Sequence, residues 1–263
     1  MASYRKIRLS YVADLIVKRI RSSESFFDLL LWKVRLFYFL NVGRRLKTME
    51  SDLAFSNTVR HNLKSLTVRN NRMLNLICPL GSIECVNKAN DKILIIGPRN
   101  EWDFFLLRRE GFAFKNLTGL DLISYSPKID LGDMHEMRFY EDDQFDIILS
   151  GWTLSYSSSP AKAVSEMKRV VRNNGFVGLA VEYFYEDENT EHQWTNLHGY
   201  YIQEKDRLPK RINAVRDLLG LFGESVKEVF WQHDAPLKNS HRPGALCSAP
   251  SVVSVIVQIT KEY

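Results

Sequence analysis

Between residues 92 and 182, continuous apolar runs alternate with stretches of helical period. KILIIG (92–97) is apolar throughout, as expected of a strand covered on both faces. EWDFFLLRREGF continues as a helix, with Gly111 as its C-terminal stop. LTGLDL (117–122) is a second strand, a short segment near KIDLGDM leads to a third, and FDIILSGW (145–152) is a fourth. SSSPAKAVSEMKRVVRNNG then reads as a helix. Ser159 is its cap, Pro160 occupies its first turn, and Ala163, Val164, Met167, Val170 and Val171 line one face. Asn174-Gly175 is expected to end it before a fifth strand, FVGLAVEYF. LPKRINAVRDLLGLFG is another amphipathic helix, and VKEVFWQH and SVVSVIVQIT are two closing strands. Alternation of this kind predicts an α/β fold with a doubly wound, mostly parallel sheet.

Residues 1–88 lack that alternation and read as a basic helical N-terminal extension or lid. Residues 89–263 form the main domain, with an insertion near 183–209 that is rich in aromatic and polar residues. The overall charge of +5 is uneven: residues 1–72 hold 15 Lys/Arg against 5 Asp/Glu, a net of +10. The remainder holds 21 against 26, a net of −5. In SFFDLLLWKVRLFYFLNV (25–42) a broad apolar face runs beside basic residues. Such a helix packs on its own domain, or touches anionic lipid headgroups or a phosphorylated substrate. Asp28, Lys33 and Arg35 interrupt it, so no transmembrane span is expected. The opening residues carry charge in every apolar run, unlike a signal peptide, so a cytoplasmic location is expected. Cys78, Cys85 and Cys247 form no C-x-x-C pair and read as free thiols, and the six histidines show no metal-site spacing. No DNA- or RNA-binding module is recognisable, so no nucleic-acid partner is expected.

In doubly wound sheets the ligand lies beyond the carboxyl ends of the strands. The turn after the first strand, Gly97-Pro98-Arg99-Asn100-Glu101, carries one glycine where a dinucleotide fingerprint carries three. Gly97 lets the backbone approach a ligand, and the helix beginning near Glu101 aims free N–H groups at it. Asp121 ends the second strand, where a carboxylate can accept from two ribose hydroxyls.

The stretch LGDMHEMRFYEDDQFDIIL (131–149) resembles class I S-adenosylmethionine-dependent methyltransferases. Asp133, the run Phe139-Tyr140-Glu141-Asp142-Asp143, Phe145-Asp146, the Glu166/Arg169-Val170 pair and Asn173-Asn174-Gly175 follow that family's order. The resemblance implies a Rossmann-like sheet of seven strands and S-adenosyl-L-methionine as cofactor. It also implies roles. Gly97, Pro98, Arg99 and Glu101 face the methionine part, and Asp121 with Leu122 faces the ribose. Asp133, Met134 and His135 surround the adenine, and Ser150, Gly151 and Trp152 lie beside the sulfonium. IGPRNE replaces the family's usual glycine-rich turn.

Tyr156, His192, His198 and His233 follow the fourth, fifth and sixth strands and are candidate acid–base groups. The expected activity is O-methylation of a small molecule: a sugar, a glycan precursor or a secondary metabolite. Alternatives are an N-methyltransferase, a methyltransferase acting on lipid at a membrane surface, or a non-catalytic binding module or partner subunit. A homodimer built through the extension is a further candidate assembly. A nicotinamide dehydrogenase would need the glycine fingerprint this chain lacks.

Overall fold

The computed structural model describes residues 26–49, 53–182, 212, 214–234 and 252–261. The chain divides into two compact units, Met1–Arg44 and Arg45–Tyr263. Residues 45–88, read from the sequence as part of the extension, group with the second unit. The expected 183–209 insertion lies outside the described residues.

In the first unit, helix α1 (26–37) continues into a π-helical turn, Tyr38–Val42. In the second, helix α2 (Leu53–Lys64) and helix α3 (Leu74–Leu80) precede the sheet. The expected Rossmann-like sheet is present, with strands β2 (Ile93–Ile96), β3 (Leu117–Asp121), β5 (Ile129–Leu131), β6 (Phe145–Gly151), β7 (Val171–Glu182), β8 (Val226–His233) and β9 (Val252–Ile259). Their order is β5-β3-β2-β6-β7-β9-β8. The first five run parallel; β9 lies antiparallel between β7 and β8. Two short strands the sequence did not announce, β1 (Lys47–Thr48) and β4 (Ile123–Ser124), form a separate antiparallel pair.

From β2 the chain steps to β3 and β5 on one side, then crosses to β6 on the other. The crevice between the carboxyl ends of β2 and β6 is thus the topological switch point, where α/β sheets hold ligands. Register places Ile96 beside Leu120 and Ser150, so the ends of β2, β3 and β6 are level.

Helix α4 (Trp102–Arg109) follows β2, and Gly111 stops it at φ +96. Helix α5 (Pro160–Val170) buries Ala163, Val164, Met167 and Val170 against Leu94, Ile148 and Val177 of the sheet. Each full burial of a Val or Met side chain contributes roughly 1.5–3 kcal/mol. Helix α6 (Val215–Phe222) adds Leu218 and Phe222 to the same core.

Helix α5 ends at Val170, not at Asn174-Gly175, and Val171 is already extended. Tertiary bonds outcompete the helix: Arg172 Nε donates to Asp146 Oδ1 at 2.6 Å, and Asn173 Oδ1 accepts from Lys261 N at 3.1 Å. Ser159 makes no side-chain cap. Instead its own N–H donates to Ser157 Oγ at 3.1 Å.

Candidate active site

The turn after β2 owes its shape to Gly97, at φ +68. A Cβ there would lie 2.2 Å from Thr153 Oγ1. Thr153 opens the turn two residues after the end of β6, and its hydroxyl donates to Ile96 O at 3.1 Å, so the two strand ends are stitched together. Gly97 N donates to Leu120 O at 2.7 Å. Arg99 is left-handed at φ 57, which turns its N–H onto Asp121 Oδ2 at 2.7 Å.

Asp121 is buried at the end of β3. Besides Arg99, Ile123 N donates to its Oδ1 at 3.2 Å, and Asn62 Nδ2 of α2 donates to Oδ1 at 3.0 Å. Burial pushes its carboxyl above the usual range, and the Arg99 and Ile123 amides, the Arg99 charge and Asn62 oppose this in part. Leu122 O accepts from Met49 N at 2.9 Å, which joins the residue after Asp121 to the chain just beyond β1.

A small cavity of about 40 Å³ opens at the switch point. Gly97, Pro98 and Arg99 line it from the β2 turn, and Gly151, Trp152 and Tyr156 line it beyond β6. Asn70, Arg72 and Met73 close it from the segment before α3, and Asp103 enters from the first turn of α4. The Arg72 guanidinium sits 3.6 Å from the centre of the Trp152 ring, a stacked cation–π contact. Trp152 is left-handed at φ 71, a conformation that costs a non-glycine residue energy and concentrates at functional sites. Asn100 fixes the wall. Its Nδ2 donates to Leu66 O and Val68 O at 2.9 and 3.1 Å, and its Oδ1 accepts from Trp102 N at 2.9 Å.

Asp103 is partly exposed but sits deep in this wall. Burial pushes its carboxyl up to about 7, and Arg99 pulls the other way. Arg99 Nε, Ser150 Oγ and Trp152 Nε1 are buried without a hydrogen-bond partner. Three unsatisfied polar atoms around one strand-end crevice are what a polar ligand would satisfy.

The other predicted residues among those described stand outside the cavity lining. Asp133 and His135 lie beyond β5 and make a relay. His135 Nδ1 is 2.6 Å from Asp133 Oδ1, and Nε2 is 2.6 Å from the buried Ser157 Oγ. Burial alone would raise Asp133, yet the imidazole and amide of His135 hold its carboxyl below the usual range. Met134 packs against the main core. Glu101 turns to Ser126 Oγ, and its N–H donates to the Tyr125 hydroxyl at 2.9 Å, so it braces the loop after β4. His233 ends β8, exposed at the carboxyl edge but three strands from β6. His192 and His198 lie outside the described residues. Among the described residues, no group of three or more His, Cys, Asp or Glu could hold a metal ion.

Sequence reasoning missed Asn62, Arg72, Asp103 and Thr153. Asp103 had a readable signal, being an acidic residue in the first turn after the β2 loop. Asn62 and Arg72 had none, because each meets a partner at least 59 residues away.

S-adenosylmethionine needs a ribose carboxylate, a close-approach turn and polar groups for its amino-acid end. Asp121, Gly97 and Arg99 are residues of those kinds; Gly97 and Arg99 line the cavity, and Asp121 lies behind the Arg99 amide. Asn62 must yield Asp121 Oδ1 for a ribose to take it.

The family described as "Methyltransferase domain" matches residues 104–179. No curated protein matches the chain. Its fold is similar to a chain of the Haloferax volcanii complex between the Trm112 methyltransferase activator and a methyltransferase. Identity there is 14%, TM-score 0.53, with 80% of this chain and 97% of that one covered. It is also similar to the CurJ carbon methyltransferase, at 12% identity and TM-score 0.51, covering 94% of this chain and 70% of that one. At these identities the likeness is one of fold.

Proposed function

We propose that this chain, a member of the class I S-adenosylmethionine-dependent methyltransferases, O-methylates a small hydroxylated molecule such as a sugar, a glycan precursor or a secondary metabolite. The observation that carries the reading is the switch-point cavity, with a carboxyl poised near neutrality at its wall.

When bound, the cofactor supplies a methyl group on a cationic sulfur. Asp121 holds the ribose hydroxyls, Asp133 and His135 face the adenine, and Arg72 and Arg99 balance the carboxylate of the methionine end. Tyr156 and Trp152 shape the acceptor side, so alignment supplies much of the rate. Asp103 receives the proton that the acceptor hydroxyl loses as its oxygen forms the new bond. A carboxylate held near 7 is matched to that task at neutral pH.

The test is release of S-adenosylhomocysteine by the purified chain across a panel of sugars, phenols and amines. Turnover with hydroxyl acceptors supports the reading. Methylation confined to amines, nucleic acid or protein overturns it.

A further inference from the structure

The first unit carries a surface that the methyl-transfer reading does not use. On α1, Phe26, Phe27, Leu30, Leu31, Val34 and Phe37 are all exposed, from 44% to 64%. Tyr38 and Val42 of the π turn extend the set, at 52% and 62%. At about 100° per residue, the six helical positions fill a continuous arc of about 140°. The opposite face carries the buried Asp28, Trp32 and Leu36. The exposed set is therefore a second apolar face, on a helix that already has a buried one. Single exposed apolar residues are ordinary, but a contiguous stripe of this size marks an interaction site.

The charges bordering the stripe identify its partner. Lys33 lies about 20° beyond one edge and Arg35 about 40° beyond the other. Lys33 is exposed, while Arg35 extends over the Phe39 ring at 5.1 Å. The only acidic residue on the helix, Asp28, is buried. Across residues 1–44 there are nine Lys/Arg against three Asp/Glu. A second copy docked stripe to stripe would bring these like charges together, whereas an anionic bilayer complements both edges. No helix among the described residues is long and apolar enough to cross a membrane. An apolar stripe with cationic borders lies in the headgroup plane with its aromatic side chains dipped toward the acyl chains.

We infer that α1 and its π turn dock the protein on an anionic membrane surface through the Phe26–Val42 stripe. The proposal does not depend on the acceptor or on cofactor binding.

The full chain is sedimented with vesicles of phosphatidylcholine alone and of an equal phosphatidylcholine–phosphatidylglycerol mixture, at low and high salt. Phe27→Asp/Phe37→Asp and Lys33→Glu variants run alongside, and light scattering gives the oligomeric state of each. Both phenylalanines are exposed, so the variants should fold, and unchanged circular dichroism confirms it. The expected result is salt-sensitive binding to the anionic vesicles, weakened about tenfold or more by the double variant and less by Lys33→Glu. Two results overturn the proposal: no anionic-vesicle binding by the folded wild type, or a dimer that the double variant dissociates without any vesicle binding.

Discussion

Asn62 Nδ2 donates to Asp121 Oδ1 at 3.0 Å, so a side chain from a helix before the sheet occupies the carboxylate assigned to the cofactor ribose. The buried Asp121 also accepts from the Ile123 amide at Oδ1 and from the Arg99 amide at Oδ2, which hold the turn in shape. Cofactor entry and the position of Asn62 are therefore linked, because both draw on one oxygen.

Asn62→Ala removes the internal competitor. A hydrogen bond to a charged group is worth about 1.5–3 kcal/mol net, so S-adenosylhomocysteine should bind roughly 10–150-fold tighter. The free protein should lose a few degrees of melting temperature. Calorimetry and thermal denaturation of the variant check both directions.

Gly97→Ala puts a Cβ against Thr153 and forces an L-residue to φ +68. The left-handed backbone costs about 1 kcal/mol and the clash more, so a loss of about 2 kcal/mol or greater is expected. Adding Thr153→Gly should recover the clash component but not the backbone component. Urea denaturation of the single and double variants separates the two.

Asp103 gives a pH signature. Its carboxyl titrates near 3.8 when unperturbed and about 7 in the folded chain. Between those values the folded state holds a proton that the unfolded chain has released, so this residue's contribution to stability falls as pH rises through the window. Asp103→Asn should flatten that part of the stability curve and be more stable than wild type above pH 7. The same substitution should abolish the rise of kcat through neutrality. A rate profile unchanged in the variant would remove Asp103 as the proton acceptor.

Arg169 is the hub of the loop before β6. It pairs with Glu166 through Nε and Nη2 at 3.0 Å, and donates to Met137 O at 2.9 Å and Tyr140 O at 3.0 Å. Hydrogen bonding to Arg169 holds Glu166 below the usual carboxylate range against its partial burial. Arg169→Ala should cost about 2–3 kcal/mol, and Arg169→Lys should recover only part of it because lysine cannot bond two ways in a plane. The Glu166 contribution is present near neutrality and lost as pH falls through its lowered folded value. Acid denaturation of wild type and Arg169→Ala tests it.

The sheet was legible because its strands are buried on both faces. KILIIG and FDIILSG are apolar without interruption, and no competing period confuses them. The end of α5 was not legible, since Val171–Asn174 leave the helix for partners such as Asp146 and Lys261, which no local pattern reveals. The positions of Gly97, Asp121 and Asp133 at or just beyond the ends of β2, β3 and β5 were readable from the apolar runs that precede them. The cavity walls were not, because Arg72 and Asn62 meet Trp152 and Asp121 only through the fold. Motif residues also divide by task. Glu101 braces the Tyr125–Ser126 loop, and Glu166 with Arg169 clamps the chain ahead of β6.

The central claim is that the one-glycine turn still holds S-adenosylmethionine through Asp121. Calorimetric titration of the purified chain with S-adenosylmethionine and S-adenosylhomocysteine, beside Asp121→Asn, tests it most directly. The account predicts micromolar binding by wild type, and a loss of about tenfold or more in a variant whose circular dichroism is unchanged. No heat from the folded wild type, or equal affinity in Asp121→Asn, would contradict it.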